Sequence, residues 1–352
     1  MTNEPNSLPT ESNKKGKKIL LIVLICFLSL IILLAGTFFA LREIGRRRFR
    51  KDNTAVSVPE EIYDDVEDFG TEIIYKGHRY EQNENIVSVL LIGVDKDNIQ
   101  AQENYGSNGQ ADVLIATTFD TKTGRICMIP LSRESMVDVD VYSVKGAFAK
   151  TEKMQICLAY AYGKTGDESC RNVLLSAERL LCGMDLDSYV AIDMAGIKSL
   201  TKAIGGVPIQ VLETFSDGNA HFTEGQEIVL TEKNVDPYIR GRDTDVNANN
   251  RRMARQKQFL TAFAGKAGNM VLKDFRKLTT LYNTGKPFTV SDLGLPEVTY
   301  LASCCLTADV GSSIDFISIQ GEMKEGEQYT EFYPDVNSLF EAVLNAFYVQ
   351  TD

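Results

Sequence analysis

The segment VSVLLIGV (residues 87–94) opens a series of three apolar, β-branched runs, which continues with DVLIATTF (112–119) and RICMIPL (125–131). Runs of this length and composition are typical of buried β-strands. The last two are joined by a short polar turn that ends in Gly124, so we expect them to pair as antiparallel neighbours. The three runs together predict an antiparallel meander at the centre of the fold.

Helical and strand-like segments alternate after this meander. From Asp167 the apolar residues take a helical spacing, and the strand-like runs YVAID (189–193) and VPIQV (207–211) enclose a further helix. The tail segment DVNSLFEAVLNAFY (335–348) predicts a closing amphipathic helix. This order predicts an α/β fold, a layered α-β-α sandwich with a central mixed sheet.

One N-terminal segment has the length and composition of a transmembrane helix. Residues 19–41 contain no charged side chain over 23 positions, which as a helix of about 1.5 Å per residue spans a hydrocarbon core of about 30 Å. We predict a short cytoplasmic tail (1–18), a transmembrane helix (19–41), a juxtamembrane stalk (42–71) and a catalytic domain (72–352). A cleaved secretory signal is the alternative, and the basic run after Leu41 argues against it.

Charge is divided sharply along the chain. Residues 1–51 carry ten Lys/Arg against three Asp/Glu, whereas residues 52–352 carry 27 against 45, a net charge of −18. Such an acidic domain is a poor partner for nucleic acid, so we predict that the protein binds no nucleic acid. Counted alone, the basic residues after the apolar run outnumber the four lysines before it and favour a cytoplasmic domain.

The sequence lacks the common short signatures of hydrolases, metalloproteases and nucleotide-binding enzymes. No GxSxG, HExxH or Walker pattern occurs, and both histidines, His78 and His221, lie in polar contexts that predict surface positions. The seven cysteines form no CxxC pair or Cys/His metal spacing. They are therefore predicted to be mostly buried thiols, and a disulfide remains open.

Three charged residues stand at the ends of the meander strands. Asp95 follows the first run, Asp112 begins the second and Arg133 follows the third, so alternating strand direction brings all three to one sheet edge. Two carboxylates can hold Mg²⁺, whose other ligands are usually water and phosphate oxygens. An adjacent guanidinium suits phosphate. The alternative is that the aspartates only form turns or caps.

A second basic cluster occurs in YIRGRDTDVNANNRRMARQKQFL (238–260). Asn249 or Asn250 can cap a helix there, and guanidinium groups beside a helix N-terminus form an anion site. A solvated basic face is the alternative, although arginine rather than lysine dominates the segment. The arginines concerned are Arg240, Arg242, Arg251, Arg252 and Arg255.

Five segments in order resemble successive motifs of the LytR-CpsA-Psr family over roughly residues 86–265. They are LLIGVD (90–95), GQADVLIATTFDTKTGRICMIPLSRES (109–135), CLAYAYG (157–163), AIGGVPIQV (203–211) and the arginine-rich block beginning at Tyr238. The resemblance implies an extracytoplasmic α/β domain on a single-pass anchor in the cell membrane, with the N-terminus in the cytoplasm. It also implies Mg²⁺ (or Mn²⁺) and an apolar pocket for a polyprenyl pyrophosphate-linked glycan, whose phosphate is transferred to peptidoglycan.

The resemblance assigns roles by position. Asp95 and Asp112 match the metal-associated acids. The arginines that match pyrophosphate-binding positions are Arg133, Arg240 and Arg242. Arg252 and Arg255 match the arginines of the helix that ends the arginine-rich block, and we predict that they bind pyrophosphate too. Two departures occur: Ser132 and Glu134 flank Arg133 where the family often has Pro and Asp, and the acid before the final helix corresponds to Asp245 or Asn249. We favour Asp245, as a base.

Two other functions fit the same residues. A pyrophosphatase would use water in place of the wall hydroxyl, and a membrane regulator or glycan-binding protein would need no chemistry at this site. The sequence leaves the glycopolymer and the oligomeric state open.

Overall fold

A computed structural model describes residues 36–49, 55–96, 98–101, 104–241, 248–305, 314–326 and 329–352, with only the backbone of 248–250. The predicted cytoplasmic tail and most of the predicted transmembrane helix lie outside these ranges. Within them, no helix combines the length and the apolar character that a bilayer crossing requires.

The helices of the described chain carry the following bounds: α1 (36–48), α2 (Gly166–Leu180), α3 (Met194–Ala203), α4 (Val235–Arg240), α5 (Ala248–Lys273), α6 (Arg276–Gly285), α7 (Leu295–Cys305) and α8 (Val336–Phe347). Three 3-10 turns accompany them, at Glu60–Asp65, Ile156–Tyr162 and Lys286–Phe288. Side chains cap several helices, as where the Thr165 hydroxyl accepts from the Glu168 backbone N–H before α2.

The strands are β1 (Val66–Asp68), β2 (Glu72–Tyr75), β3 (His78–Gln82), β4 (Ile86–Val94), β5 (Ala111–Asp120), β6 (Ile126–Leu131), β7 (Met136–Tyr142), β8 (Phe148–Gln155), β9 (Ser188–Asp193), β10 (Val207–Gln210), β11 (Phe215–Asp217), β12 (Ala220–Phe222), β13 (Glu227–Leu230), β14 (Thr289–Ser291), β15 (Ile314–Phe316), β16 (Gly321–Glu325), β17 (Thr330–Pro334) and β18 (Tyr348–Gln350).

A six-stranded mixed sheet forms the centre of the fold, in the order β14-β9-β4-β5-β6-β15. The predicted meander is confirmed, because β4 pairs with β5 and β5 with β6 in antiparallel register. Strand β9 runs parallel to β4, and β15 runs parallel to β6. The prediction of a mixed α/β sheet is therefore confirmed.

The two faces of this sheet have different coverings. Leu90, Ile92 and Val94 of β4 belong to the main core, together with side chains of α2 and α8. The intervening Val89 packs in a second cluster with α7, and Leu91 lines a cavity on that same face. Side chains alternate between faces along a strand, so one strand serves both a packed layer and a partly open one. This arrangement is the predicted α-β-α sandwich, with a cavity left in one layer.

The described part of the predicted stalk is folded against the domain. Val56 and Ile62 are both 3% exposed and belong to the main core. The backbone N–H of Ser57 donates to the Cys182 carbonyl at 2.7 Å, and that of Val56 donates to the Tyr348 hydroxyl at 3.2 Å. Residues 55–71 are thus part of the domain rather than a spacer. Burial of Val56 and Ile62 in the core stabilises the attachment of this segment to the domain.

Candidate active site

Strand direction places three predicted site residues at one edge of the sheet. Asp95 directly follows β4, Asp112 is the second residue of β5, and Arg133 lies two residues beyond β6. All three line one cavity of about 850 Å³. The structure therefore brings these residues together as the strand pattern predicted.

The Arg133 guanidinium is held by several acceptors. Its Nη1 contacts the Asp112 carboxylate, its Nη2 donates to Gln110 Oε1 at 2.7 Å, and its Nε lies 3.6 Å from Glu134 Oε1. The Ser132 hydroxyl in turn donates to the Glu134 carboxylate at 2.9 Å. Ser132 and Glu134, which differ from the residues common in the family, therefore still help to orient Arg133. The planar guanidinium of Arg133 has fixed partners on several sides.

A second ion pair stands beside the first. Arg240, the last residue of α4, places Nη2 at 2.5 Å from Asp95 Oδ2 and Nη1 at 3.5 Å from Asp236 Oδ1. Lys198 of α3 neutralises the other oxygen of Asp236 at 2.8 Å. Asp95 and Arg240 are 48% and 46% exposed, so an incoming anion can reach both.

The body of the cavity is apolar. Its sheet side is formed by residues of β4, β5 and β9, and its other sides by α3 and α5. Leu91 lies four residues before Asp95 in β4, so the apolar floor extends roughly 13 Å from the charged edge. The apolar lining includes Leu91, Val113, Ile115, Val190, Ile192, Ile197, Leu200, Phe259, Leu260 and Phe263. The cavity is suited to a ligand with a long apolar part and an anionic end.

The arginines of α5 have two different environments. Arg252 is 8% exposed and lines the cavity. Arg255 is 2% exposed and does not line it: its guanidinium lies 3.9 Å from the centre of the Phe215 ring and 3.1 Å from Glu213 Oε1. Phe215 and Glu213 thus cover the Arg255 side chain in this structure, and the binding of pyrophosphate by Arg255 stays a prediction.

The structure describes only some of the other residues predicted to be functional in the arginine-rich segment 238–260. Helix α5 begins at Ala248, so Asn249 and Asn250 lie in its first turn rather than at its cap. Arg251 Nε pairs with Glu213 Oε2 at 2.7 Å and does not line the cavity. Arg242 and Asp245 lie outside the described residues.

Sequence reasoning missed four polar residues that line the cavity, Asp217, Asp236, Gln256 and Thr289. It also missed Glu213, which lies outside the cavity lining and joins Arg251 to Arg255. Gln256 could have been found, because it is one helical turn from Arg252. Glu213 lies in a loop far along the chain, and no local pattern marks it.

The donor set at the cavity mouth fits a hard divalent cation. Asp95 and Asp112 supply two carboxylates, and Mg²⁺ usually takes only one or two from the protein. Over the part of the chain that the structure describes, no group of three or more His, Cys, Asp or Glu could hold a metal by itself. An ion bound there would draw its other ligands from water and from phosphate oxygens.

Among the described residues, neither histidine lines the cavity, and Cys157 approaches the site as a partner of Arg133, whose Nη2 lies 3.9 Å from its Sγ. His78 and His221 are exposed, as predicted. The six cysteines among the described residues are buried and are not joined by disulfides. Burial raises the pKa of Cys157 even though Arg133 lies beside it, so this thiol stays protonated near neutral pH.

The fold and the site define a family. Residues 51–344 match the model of the LytR_cpsA_psr family. The chain belongs to that family, and the resemblance predicted from the sequence is confirmed.

Particular relatives carry names that concern teichoic acid. The chain is 24% identical over 255 residues to the polyisoprenyl-teichoic acid–peptidoglycan teichoic acid transferase TagU of Enterococcus faecalis, covering 72% of this chain and 73% of that protein. It is 27% identical to TagU of Bacillus subtilis over 183 residues, about half the length of each chain.

Solved structures share the fold. The crystal structure of B. subtilis TagV superposes with a TM-score of 0.59 at 21% identity, covering 74% of this chain and 96% of that one. A structure described as TagT bound to LI-WTA gives a TM-score of 0.56 at 19% identity, with 74% and 89% covered.

Proposed function

We propose that this protein transfers a glycopolymer phosphate from a polyprenyl pyrophosphate carrier to a peptidoglycan hydroxyl. One observation carries the proposal: a single cavity joins an apolar body to a mouth with Asp95, Asp112, Arg133, Arg240 and Arg252. A polyprenyl pyrophosphate has the same division into apolar chain and anionic end. The names of the TagU relatives support the choice of carrier and acceptor.

The arginines bind and polarise the diphosphate in this proposal. Arg133 and Arg240 are paired with Asp112 and Asp95 in the structure, so their charges are balanced until a phosphate competes for them. Bidentate contacts from Arg to phosphate oxygens stabilise the negative charge that develops on the departing lipid phosphate. The acceptor oxygen forms its bond to the glycan-linked phosphorus as the bond to the lipid phosphate breaks.

Two acids and a cation complete the proposed site. Asp95 and Asp112 would hold Mg²⁺ or Mn²⁺, which supplies charge neutralisation at the phosphate oxygens when it is bound. Asp245 stays the predicted base for the acceptor hydroxyl. The apolar segment 19–41 is proposed to anchor the domain on the outer face of the cell membrane, with the N-terminus in the cytoplasm.

The test uses the full-length chain in lipid nanodiscs with a short-chain lipid pyrophosphoryl glycan, Mg²⁺ and peptidoglycan oligomers. Mass spectrometry should find lipid monophosphate and a glycosyl-phosphorylated acceptor. Lipid monophosphate formed equally fast without acceptor would indicate a pyrophosphatase instead. Formation of neither product would refute both enzymatic functions.

A matched pair of variants links the reaction to the site. Arg133→Gln should reduce kcat/KM by about 100-fold or more, as expected when one preorganised donor to a developing charge is lost. Arg179→Gln is the control, because Arg179 also pairs with a carboxylate, at 2.9 Å, but does not line the cavity. Equal activity of the two variants would refute the role assigned to Arg133 in the reaction.

A further inference from the structure

Helix α1 is closely packed on the domain beside α7. Gly45 is buried, and a Cβ atom at this position would lie 2.3 Å from the Pro296 carbonyl oxygen, so only glycine allows this approach. Arg48 Nη2 pairs with Asp292 Oδ2 at 2.7 Å, and Phe49 stacks on Tyr300. The helix that continues the apolar segment 19–35 therefore has one defined position on the domain.

The first turns of α1 lie beside the junction of α5 and α6. Phe38 makes an edge-to-face contact with Phe275, with ring centres 4.7 Å apart. Phe38 belongs to the predicted transmembrane run, which ends at Leu41. If that run is embedded, the junction around Phe275 must lie at the level of the bilayer surface.

The surface of this junction suits a membrane. Leu272 is 51% exposed, and Phe39 of α1, whose ring centre lies 5.3 Å from that of Phe38, is 63% exposed. Lys273, Arg276 and Lys277 are exposed there as well, and the one acid between them, Asp274, pairs with Arg276 at 2.8 Å. Residues 272–277 therefore carry a net positive charge, although the net charge of residues 52–352 is −18.

We propose that this surface, formed by Phe39, Leu272, Lys273, Phe275, Arg276 and Lys277 and called here the α5–α6 corner, binds the anionic phospholipid headgroups of the bilayer. Basic side chains are attracted to anionic lipid, and exposed apolar side chains enter the boundary between headgroups and acyl chains. The α5–α6 corner thus gives the domain a second membrane contact besides its predicted anchor.

This contact also sets the distance from bilayer to active site, a step that rests on the proposed function. Helix α5 carries Leu272 at the corner, Phe263 in the cavity wall and Arg252 at the cavity mouth. At about 1.5 Å per residue, Phe263 lies about 14 Å and Arg252 about 30 Å from Leu272 along the helix. The apolar wall is nearer the bilayer than the charged mouth, so a carrier can keep the rest of its chain in the membrane.

Tryptophan fluorescence can test the contact directly, because the chain contains no tryptophan. Full-length Leu272→Trp in nanodiscs of phosphatidylcholine and phosphatidylglycerol should be quenched by brominated lipid. Val229→Trp is the matched control, since Val229 is 50% exposed on β13 and lies outside the corner. Quenching of Leu272→Trp should be at least twice that of the control, and equal quenching would overturn the proposal.

A charge-reversal variant tests the headgroup contribution. Lys273→Glu with Lys277→Glu, added to Leu272→Trp, should reduce the quenching in phosphatidylglycerol nanodiscs at least twofold and change it little in pure phosphatidylcholine. No change in either lipid would contradict a role for the basic residues. Co-elution of protein with nanodiscs and the transfer assay on the same samples report anchoring and activity separately, so failure of the corner is distinguishable from failure of the proposed function.

Discussion

Replacing Ile197 with tryptophan should shorten the lipid chain that the cavity accepts. Ile197 is half-buried on α3 and lines the apolar body of the cavity. An indole at this position occupies space that lipid carbons would otherwise fill. The anionic end of the ligand should bind as before, because the arginines of the mouth are unchanged.

The size of the effect follows from burial of methylene groups. If the indole displaces about four of them, at about 0.8 kcal/mol each, the loss is about 3 kcal/mol, or roughly 150-fold in affinity. The loss should appear only for chains long enough to reach α3. For a short prenyl pyrophosphate, the affinity of the variant should remain within a few-fold of the parent.

Calorimetric titration with geranyl, farnesyl and geranylgeranyl pyrophosphate measures this length dependence. The parent protein should gain affinity with each isoprene unit, and Ile197→Trp should stop gaining earlier. The new tryptophan should also change its fluorescence when ligand binds. In the control Val144→Trp, whose parent residue is 78% exposed between β7 and β8, neither effect should occur. An unchanged gain per isoprene unit in Ile197→Trp would refute the assignment of the cavity to the lipid chain.

Three further predictions concern stability and thiol chemistry. Burial disfavours ionisation of Asp140, but the hydrogen bonds from Arg179 and a threonine outweigh it and lower its pKa; Asp140→Asn should therefore cost about 1 to 2 kcal/mol of unfolding free energy at pH 7, measured by urea denaturation. Because the folded pKa is the lower one, this difference should be complete above the unfolded value of about 3.9 and shrink as pH falls below it; a pH-independent difference would contradict the assignment. Burial raises the pKa of Cys127 to about 11, so the buried thiols of the native protein should react slowly with a thiol reagent at pH 8. In denaturant all seven cysteines should react, and a count of fewer than seven reactive thiols would reveal a disulfide. Glu213→Gln should destabilise the fold by about 3 kcal/mol in the same denaturation assay, because it leaves the charge of Arg255 buried without its carboxylate; an unchanged midpoint would show that this pair contributes little.

Local pattern was sufficient to predict the central sheet and part of the site. The short turn before Arg125 requires β5 and β6 to be antiparallel, because no crossover fits between them. The loop between β4 and β5 (residues 95–110) is long enough for a crossover, so the antiparallel pairing of β4 with β5 was a prediction that the structure confirmed. Once the meander is known, Asp95, Asp112 and Arg133 must lie at one edge, since each stands next to a strand end. The acidic composition of the segment around Pro59 led to the prediction of a stalk. Composition gives no sign that Val56 and Ile62, which lie in the same segment, are buried in the core.

Only the tertiary structure distinguished the arginines of α5. Arg252 and Arg255 are three residues apart, and helical spacing alone places both on neighbouring positions of one side. Which of them meets the cavity depends on Phe215 and Glu213, which come from a separate part of the chain and cover Arg255. The sequence by itself determined the strands and the charged residues at their ends, because strand pairing follows from local periodicity. The cavity depends on how α3 and α5 pack over the sheet, and such long-range packing leaves no local pattern to read.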